Sequence, residues 1–219
     1  MNDPYYNSRY TFDPARKIVW REIVRYLAPF LQGVDNVMDL GAGYCDFINT
    51  VTAKRRVAVD SSPELKNFAA AGVETIQGMV WELSNVPSAS IDVIHASNLL
   101  EHLTDQELDK VMKEVRRTLK LGGRLILIQP NYRYCTKHYF DDPTHKKVFS
   151  HESLVSFLIS QGLRICRVEP KFLPFSMKSR PSIIPIHTLM VRAYLCSPFK
   201  PGAGQMLVVA EYVNEQNGL

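Results

Sequence analysis

The most specific chemical signal in this chain is a pair of acids set around a glycine turn. The run Asn36-Val-Met-Asp39-Leu-Gly41-Ala42-Gly43 passes from an apolar stretch into the turn, and Arg56-Val-Ala-Val-Asp60 ends a second apolar stretch on a carboxylate. Strand, glycine turn, helix, strand and acid is the layout of a nucleotide site in an open parallel sheet. Glycine suits the turn because a side chain there would hold a ligand away from the backbone. Asp60 lies nineteen residues after Gly41, close to the spacing of about 20 that places an acid on two ribose hydroxyls.

The surrounding residues discriminate between cofactors. A dinucleotide turn wants a small residue three positions after its second glycine, where the helix comes up to a pyrophosphate. That position is Asp46, whose carboxylate would repel the phosphates and so disfavours NAD. Asp39, two residues before Gly41, instead suits a cationic amino group. S-adenosylmethionine carries an ammonium, a sulfonium and a ribose but no phosphate, and it fits this pattern.

A sulfonium already makes its methyl group electrophilic, so a protein using it mainly aligns the acceptor and excludes water. A hydroxyl acceptor also needs a base, and histidine is the natural one near neutral pH. His102 follows the fourth apolar run, while His145 and His151 flank the end of a tyrosine-rich stretch over 132–149. His102 also reads as a residue that caps or packs under the helix it starts. Asp142 could orient a histidine or merely form a turn with Pro143. Tyr132, Tyr134 and Tyr139 could stack on a sugar or pin the loop.

The elements that must hold these groups follow from periodicity. Short apolar runs at 37–40, 57–60, 73–77, 91–96, 124–128, 163–168 and 205–213 read as strands. Between several of them lie stretches with apolar residues at helical spacing. Asp13-Pro14 is a helix start for the segment through Phe30, Thr104 or Asp105 starts one carrying Leu108 to Leu119, and Ser150 starts another. Residues 183–195 read as an apolar helix, either core or membrane-surface.

With 219 residues, 46% of them hydrophobic, the chain can bury one α/β core. It has no run of eighteen apolar residues and no basic-then-apolar leader order at its start. Four scattered cysteines without a Cys-x-x-Cys predict reduced thiols, a cytoplasmic setting and no metal site. The net charge of +4 is uneven. Residues 164–200 hold seven basic side chains (Arg164, Arg167, Lys171, Lys178, Arg180, Arg192, Lys200) against Glu169 alone, which hints at an anionic substrate or surface.

Taken in order, several motifs resemble those of class I S-adenosylmethionine-dependent methyltransferases. They are Met38-Asp-Leu-Gly-Ala-Gly43, Val59-Asp60, Gly78, Ile91-Asp-Val-Ile94 with Leu100-Glu-His-Leu103, and Leu119-Lys-Leu-Gly-Gly-Arg-Leu-Ile126. The resemblance implies a Rossmann-like, doubly wound α/β sheet of seven strands with an antiparallel last strand. It implies cofactor contacts at Asp39, Gly41, Ala42, Gly43, Asp60 and Ser61, and at Met79, Val80 and Asn98, with His102 or His145 as the base. Two departures stand out: Cys45 replaces the third glycine of the first motif, and Met79 replaces the acid after the third-strand glycine. The loop from Gln129-Pro-Asn131 and the stretch Gly204-Gln-Met-Leu-Val-Val-Ala210 are similar to methyltransferases of bacterial cell-surface polysaccharide synthesis.

The domain reading is an arm and lid helix over 1–33, then a methyltransferase domain over 34–219 with a substrate-side insert (132–149) and an apolar, basic segment (171–200). The expected reaction moves a methyl group to a hydroxyl, less readily an amine, of a small molecule or glycan precursor. The chain is expected to be a monomer or dimer in the cytoplasm, with peripheral contact to anionic membrane as an option. A nucleic-acid methyltransferase is disfavoured because Ser97-Asn98-Leu99-Leu100 stands where amino-directed base methylases carry Asn/Asp-Pro-Pro-Tyr. A non-catalytic subunit that binds the cofactor is the remaining rival.

Overall fold

The computed structural model describes residues 15–174 and 187–213. The tyrosine-rich arm, the Asp13-Pro14 helix start, Lys178, Arg180 and the first part of the predicted 183–195 helix lie outside those residues. Seven strands form one sheet: β1 (Asn36–Leu40), β2 (Arg55–Asp60), β3 (Val73–Gln77), β4 (Ile91–Ser97), β5 (Leu119–Pro130), β6 (Leu163–Pro174) and β7 (Ala203–Tyr212). Their order is β3-β2-β1-β4-β5-β7-β6. β1 to β5 run parallel, and β7 runs antiparallel to both β5 and β6. The doubly wound seven-stranded sheet and its antiparallel last strand are as the sequence predicts.

β1 and β4 lie side by side although β2 and β3 separate them in sequence. The winding reverses there, and this opens a crevice beyond the carboxyl ends of the two strands. Both faces of the sheet are covered, which is why these strands are nearly continuous apolar runs rather than alternating ones. Besides three short helices, α2 (Ala28–Leu31), α4 (Leu65–Phe68) and α6 (Tyr132–Cys135), one face carries α5 (Asp105–Thr118) and α7 (His151–Ser160), contributing Leu108, Val111, Met112, Val115, Leu154 and Leu158 to the core. On the other lie α1 (Ala15–Tyr26), α3 (Asp46–Thr50) and α8 (Thr188–Cys196), contributing Ile23, Phe47, Ile48, Val191 and Leu195.

Helix α5 shows how sequence makes an element. Its apolar residues fall on one stripe, and Thr104 with Glu107 forms a reciprocal capping box at its start. β5 begins earlier than its apolar run suggests. Leu119 pairs with Ile91 and Arg124 with Val93, so the strand carries an irregularity between them. Gly122, at φ +77°, and Gly123, where a Cβ would sit 2.7 Å from the Lys120 carbonyl, accommodate it.

Helix α8 starts at Thr188, later than its apolar stretch, and buries only Val191 and Leu195 while Leu189 and Met190 face outward. The basic excess of 164–200 is largely met inside the fold. Arg192 pairs with the buried Glu22, Arg167 and Lys200 pair with Glu169, and Arg164 pairs with Glu211. Counting along the chain could not reveal this, because Glu22 and Glu211 are contributed by distant segments. No described helix is long and apolar enough to cross a membrane.

Candidate active site

The glycine turn emerges from β1 and is tied to β2. Gly41 and Ala42 donate backbone N–H groups to the Val59 carbonyl at 2.9 and 3.1 Å. Gly41 has φ +67°, and a Cβ there would meet Leu99 Cδ1 at 3.0 Å. Glycine is therefore needed both for its backbone angle and for the side chain that closes over it from the end of β4. Gly43 is also left-handed, at φ +50°. Cys45, in place of the motif's third glycine, adopts φ 59°, a conformation that disfavours a side chain by roughly 1–2 kcal/mol.

Asp60, at the tip of β2, is 7% exposed. Its Oδ2 accepts the Gly43 N–H and its Oδ1 the Ser62 N–H, each at 2.8 Å. A carboxylate has about four acceptor positions, so shaping the turn is compatible with gripping a sugar diol. Ala42 is buried and Ser61 is exposed beside Asp60.

Asp39 occupies a different setting from the one its sequence position suggests. It is 3% exposed and accepts the Nδ1–H of buried His95 at 2.7 Å. The His95 ring stacks on Phe47 at 3.8 Å between centroids and meets Trp20 edge-on at 5.6 Å. Burial pushes the Asp39 carboxyl above the usual range, and His95 opposes that rise. Asp46 likewise has a partner within the chain, Arg16, at 2.6 Å.

At the end of β3, Met79 is 46% exposed and Val80 is buried. An acid lies one turn beyond position 79. Glu82 Oε2 accepts the Met79 N–H at 3.2 Å and would lie 3.5 Å from a Cβ on Gly78. Sequence reasoning overlooked Glu82; the signal was an acid three residues after the turn, as in a helix cap.

Beyond β4, Asn98 takes φ +50° and its Oδ1 accepts from Gln205 Nε2 at 2.9 Å. Gln129, on β5, accepts the Leu99 N–H at 3.3 Å. Its buried Nε2 has no hydrogen-bond partner among the described residues.

The short turn Leu100–His102 comes next, and here the fold joins residues far apart in sequence. The His102 and His145 rings lie 4.9 Å apart, with Tyr139 4.7 Å from His145. Glu101 lies beneath them, and burial pushes its carboxyl up to about 8. The insert is fastened to this turn by the Lys146 and Lys147 N–H groups, which donate to the Glu101 carbonyl at 2.7 and 3.0 Å. Tyr139 is fully buried and donates its hydroxyl to the Lys147 carbonyl at 2.6 Å, so this tyrosine pins the loop.

Thr144 organises the histidine. Its hydroxyl donates to Asp142 Oδ1 and lies 2.9 Å from His102 Nδ1. With its hydrogen committed to Asp142, the hydroxyl accepts from Nδ1, which leaves His102 Nε2 with the lone pair. Asp142 Oδ2 also lies 4.0 Å from His145 Nε2. His151 is placed apart, against Asn131 and Glu152 with Tyr134 stacked on it.

Cys45 and Cys135 are buried, and burial pushes both thiols up to about 12; Cys166 and Cys196 are exposed. The thiolate is the reactive form. A thiol reagent at pH 8 is therefore expected to label Cys166 and Cys196 in the native protein, and Cys45 and Cys135 only after denaturation. Peptide mapping of the adducts checks this; rapid native labelling of Cys45 would contradict its placement.

Residues 38–127 match a protein family described as a methyltransferase domain. A curated relative, described as an uncharacterized 37.1 kDa protein in transposon TN4556 of Streptomyces fradiae, is 27% identical over 117 residues. That match covers 49% of this chain, and the chain spans 33% of the relative's length. Among solved structures, an S-adenosylmethionine-dependent methyltransferase from Archaeoglobus fulgidus superposes with a TM-score of 0.70 at 21% identity, covering 95% of this chain and all of that one. A geranyl diphosphate C-methyltransferase from Streptomyces coelicolor, solved with Mg2+, geranyl diphosphate and S-adenosyl-L-homocysteine, superposes at 0.64 with 15% identity. Its match covers 87% of this chain and 77% of that one.

Proposed function

We propose that this chain, whose residues 38–127 match a methyltransferase domain family, uses S-adenosylmethionine to methylate a hydroxyl of a small molecule held over the His102–His145 pair. One observation carries the reading. Leu99 closes on Gly41, and the chain then runs directly into the turn bearing Glu101 and His102. The cofactor turn and the basic cluster thus share one edge of the sheet.

Asp60 holds the ribose, and the backbone of Gly41 to Gly43 receives the amino-acid tail. Met79 and Val80 cover the adenine, with Glu82 as the acid near its amino group. Ser61 and Asn98 complete the rim. Asp39 acts on the tail's ammonium from behind the turn, while His95 holds its orientation. When bound, S-adenosylmethionine supplies an electrophilic methyl group. The acceptor hydroxyl gives its proton to His102 Nε2 or to His145, its oxygen bonds the methyl carbon, and the C–S electron pair stays on sulfur.

A hydroxylated glycan precursor is the acceptor class we carry forward, with the aromatic insert as its support. Tyr134 is the exposed tyrosine of the insert, stacked on His151 and with Lys171 Nζ 4.6 Å from its ring centroid, while Tyr139 pins the loop. A cytoplasmic site of action is supported by four cysteines without a disulfide. Support for anionic membrane contact is narrower, resting on outward-facing Leu189, Met190 and Phe199.

His102→Ala and His145→Ala are each expected to lower turnover on a panel of hydroxylated acceptors by about 100-fold or more. Binding of S-adenosylhomocysteine, measured by calorimetry, should be retained. Single-methyl mass gain of the acceptor is the activity readout. Turnover at the parental rate in both variants would remove the base assignment.

A further inference from the structure

We propose that Glu101, His102 and His145 form a binding site for a first-row divalent cation such as Zn2+ or Mn2+. One donor atom from each residue lies within 4.8 Å of the other two. His102 Nε2 stands 3.9 Å from Glu101 Oε1, beyond a hydrogen bond and close to the separation of two ligands sharing an ion. Zinc bonds of about 2.0 Å in tetrahedral array hold their donors about 3.3 Å apart, so small side-chain rotations complete the set.

The second observation is independent of that spacing. Glu101 is 1% exposed, and neither carboxylate oxygen has a hydrogen-bond partner among the described residues. Native structures rarely leave a buried polar group unsatisfied, since it costs about 1–3 kcal/mol and more when charged. The His102 tautomer set by Thr144 turns a lone pair, not a proton, toward this carboxylate. A cation between them would take both the His102 Nε2 lone pair and, with its proton displaced on binding, the Glu101 carboxylate.

The donor chemistry selects the ion. Two imidazoles with one carboxylate suit Zn2+, Mn2+ or Fe2+, whereas Mg2+ and Ca2+ favour all-oxygen sets. Asp142 and Thr144 behind His102 are the kind of hydrogen-bonded support that orients an imidazole ligand. Three protein ligands leave coordination positions open. The assignment of those positions to the acceptor hydroxyl rests on the methyl-transfer reading; the binding itself does not. With the ion present, the histidines serve as its ligands. The ion would then supply Lewis acidity to the acceptor hydroxyl in place of a histidine base.

The test uses the full chain after chelator treatment, titrated calorimetrically with Zn2+ and Mn2+, with Co2+ absorption as a spectroscopic report on the ligands. One equivalent is expected to bind. Glu101→Gln and His145→Gln are each expected to weaken binding by at least about 100-fold, and Thr144→Ala by about 10-fold or more. His138→Ala, an exposed histidine of the same insert, should leave binding intact. Either of the first two variants suffices if the other fails to fold. Equal affinity in the parent and in a folded Glu101→Gln or His145→Gln variant, or no binding by the parent, overturns the site. Titration of the same samples with S-adenosylhomocysteine keeps the readings apart. Cofactor binding without metal binding sinks only the ion, and loss of cofactor binding sinks the methyl-transfer reading.

Discussion

Asp60→Ala is expected to abolish measurable S-adenosylhomocysteine binding while the sheet still forms. A hydrogen bond to a charged acceptor contributes about 1.5–3 kcal/mol. Losing two from the ribose therefore removes about 3 kcal/mol or more, over 100-fold in affinity. The substitution also releases the Gly43 and Ser62 N–H groups that Asp60 now accepts, so the turn loses its tether from the same change. Asp60→Asn separates the two effects, since its amide oxygen retains one acceptor while the other position becomes a donor. It should fall between the parent and alanine. Calorimetry and the ligand-induced melting shift read the result, and circular dichroism checks the fold. A ligand-induced shift of parental size in Asp60→Ala would remove the cofactor site from this turn.

His95→Leu is expected to be among the most destabilising single changes, by about 3–5 kcal/mol, because it strands a buried carboxylate without its partner. For a chain of this size that is roughly a 10 °C fall in melting temperature. The pH dependence identifies the cause. Burial raises the folded-state pKa of Asp39 above its ordinary value, so the folded protein binds the proton more tightly than the unfolded chain does. Stability from such a group is full below the ordinary carboxylate pKa and is lost as pH rises through the folded one. Without His95 the opposing effect is gone, so the deficit should be greatest near neutral pH and shrink on acidification. Asp39→Asn in the same background should recover much of the loss. Melting curves across pH decide it; a deficit independent of pH would mean that lost packing against Phe47 and Trp20, not charge, is responsible.

The features legible in the sequence share one property: each is written within a few residues. Val37 to Leu40 and Val57 to Val59 are apolar because strands buried on both faces must be. Gly41 and Gly43 mark a left-handed turn, and Thr104 with Glu107 marks a helix start. A period or a turn is set by backbone geometry that neighbouring residues share, and seven strands with a glycine turn and a terminal acid already imply the crevice.

What only the tertiary structure decided are the partners of the charged groups. Asp39 reads as a ligand for an ammonium, yet within the chain it is hydrogen-bonded to His95, brought alongside because β1 and β4 are neighbours at the sheet's switch point. Arg192 and Arg164 read as a free basic surface, yet Glu22 and Glu211 meet them across the fold. His102 and His145 read along the chain as alternative bases with nothing to bring them together, since 42 residues separate His102 from Thr144 beside His145. They meet because the insert docks on the Leu100–His102 turn. Local periodicity says where a strand lies; which side chains face one another, and how dry the space between them is, depends on strand order and packing across the whole sheet.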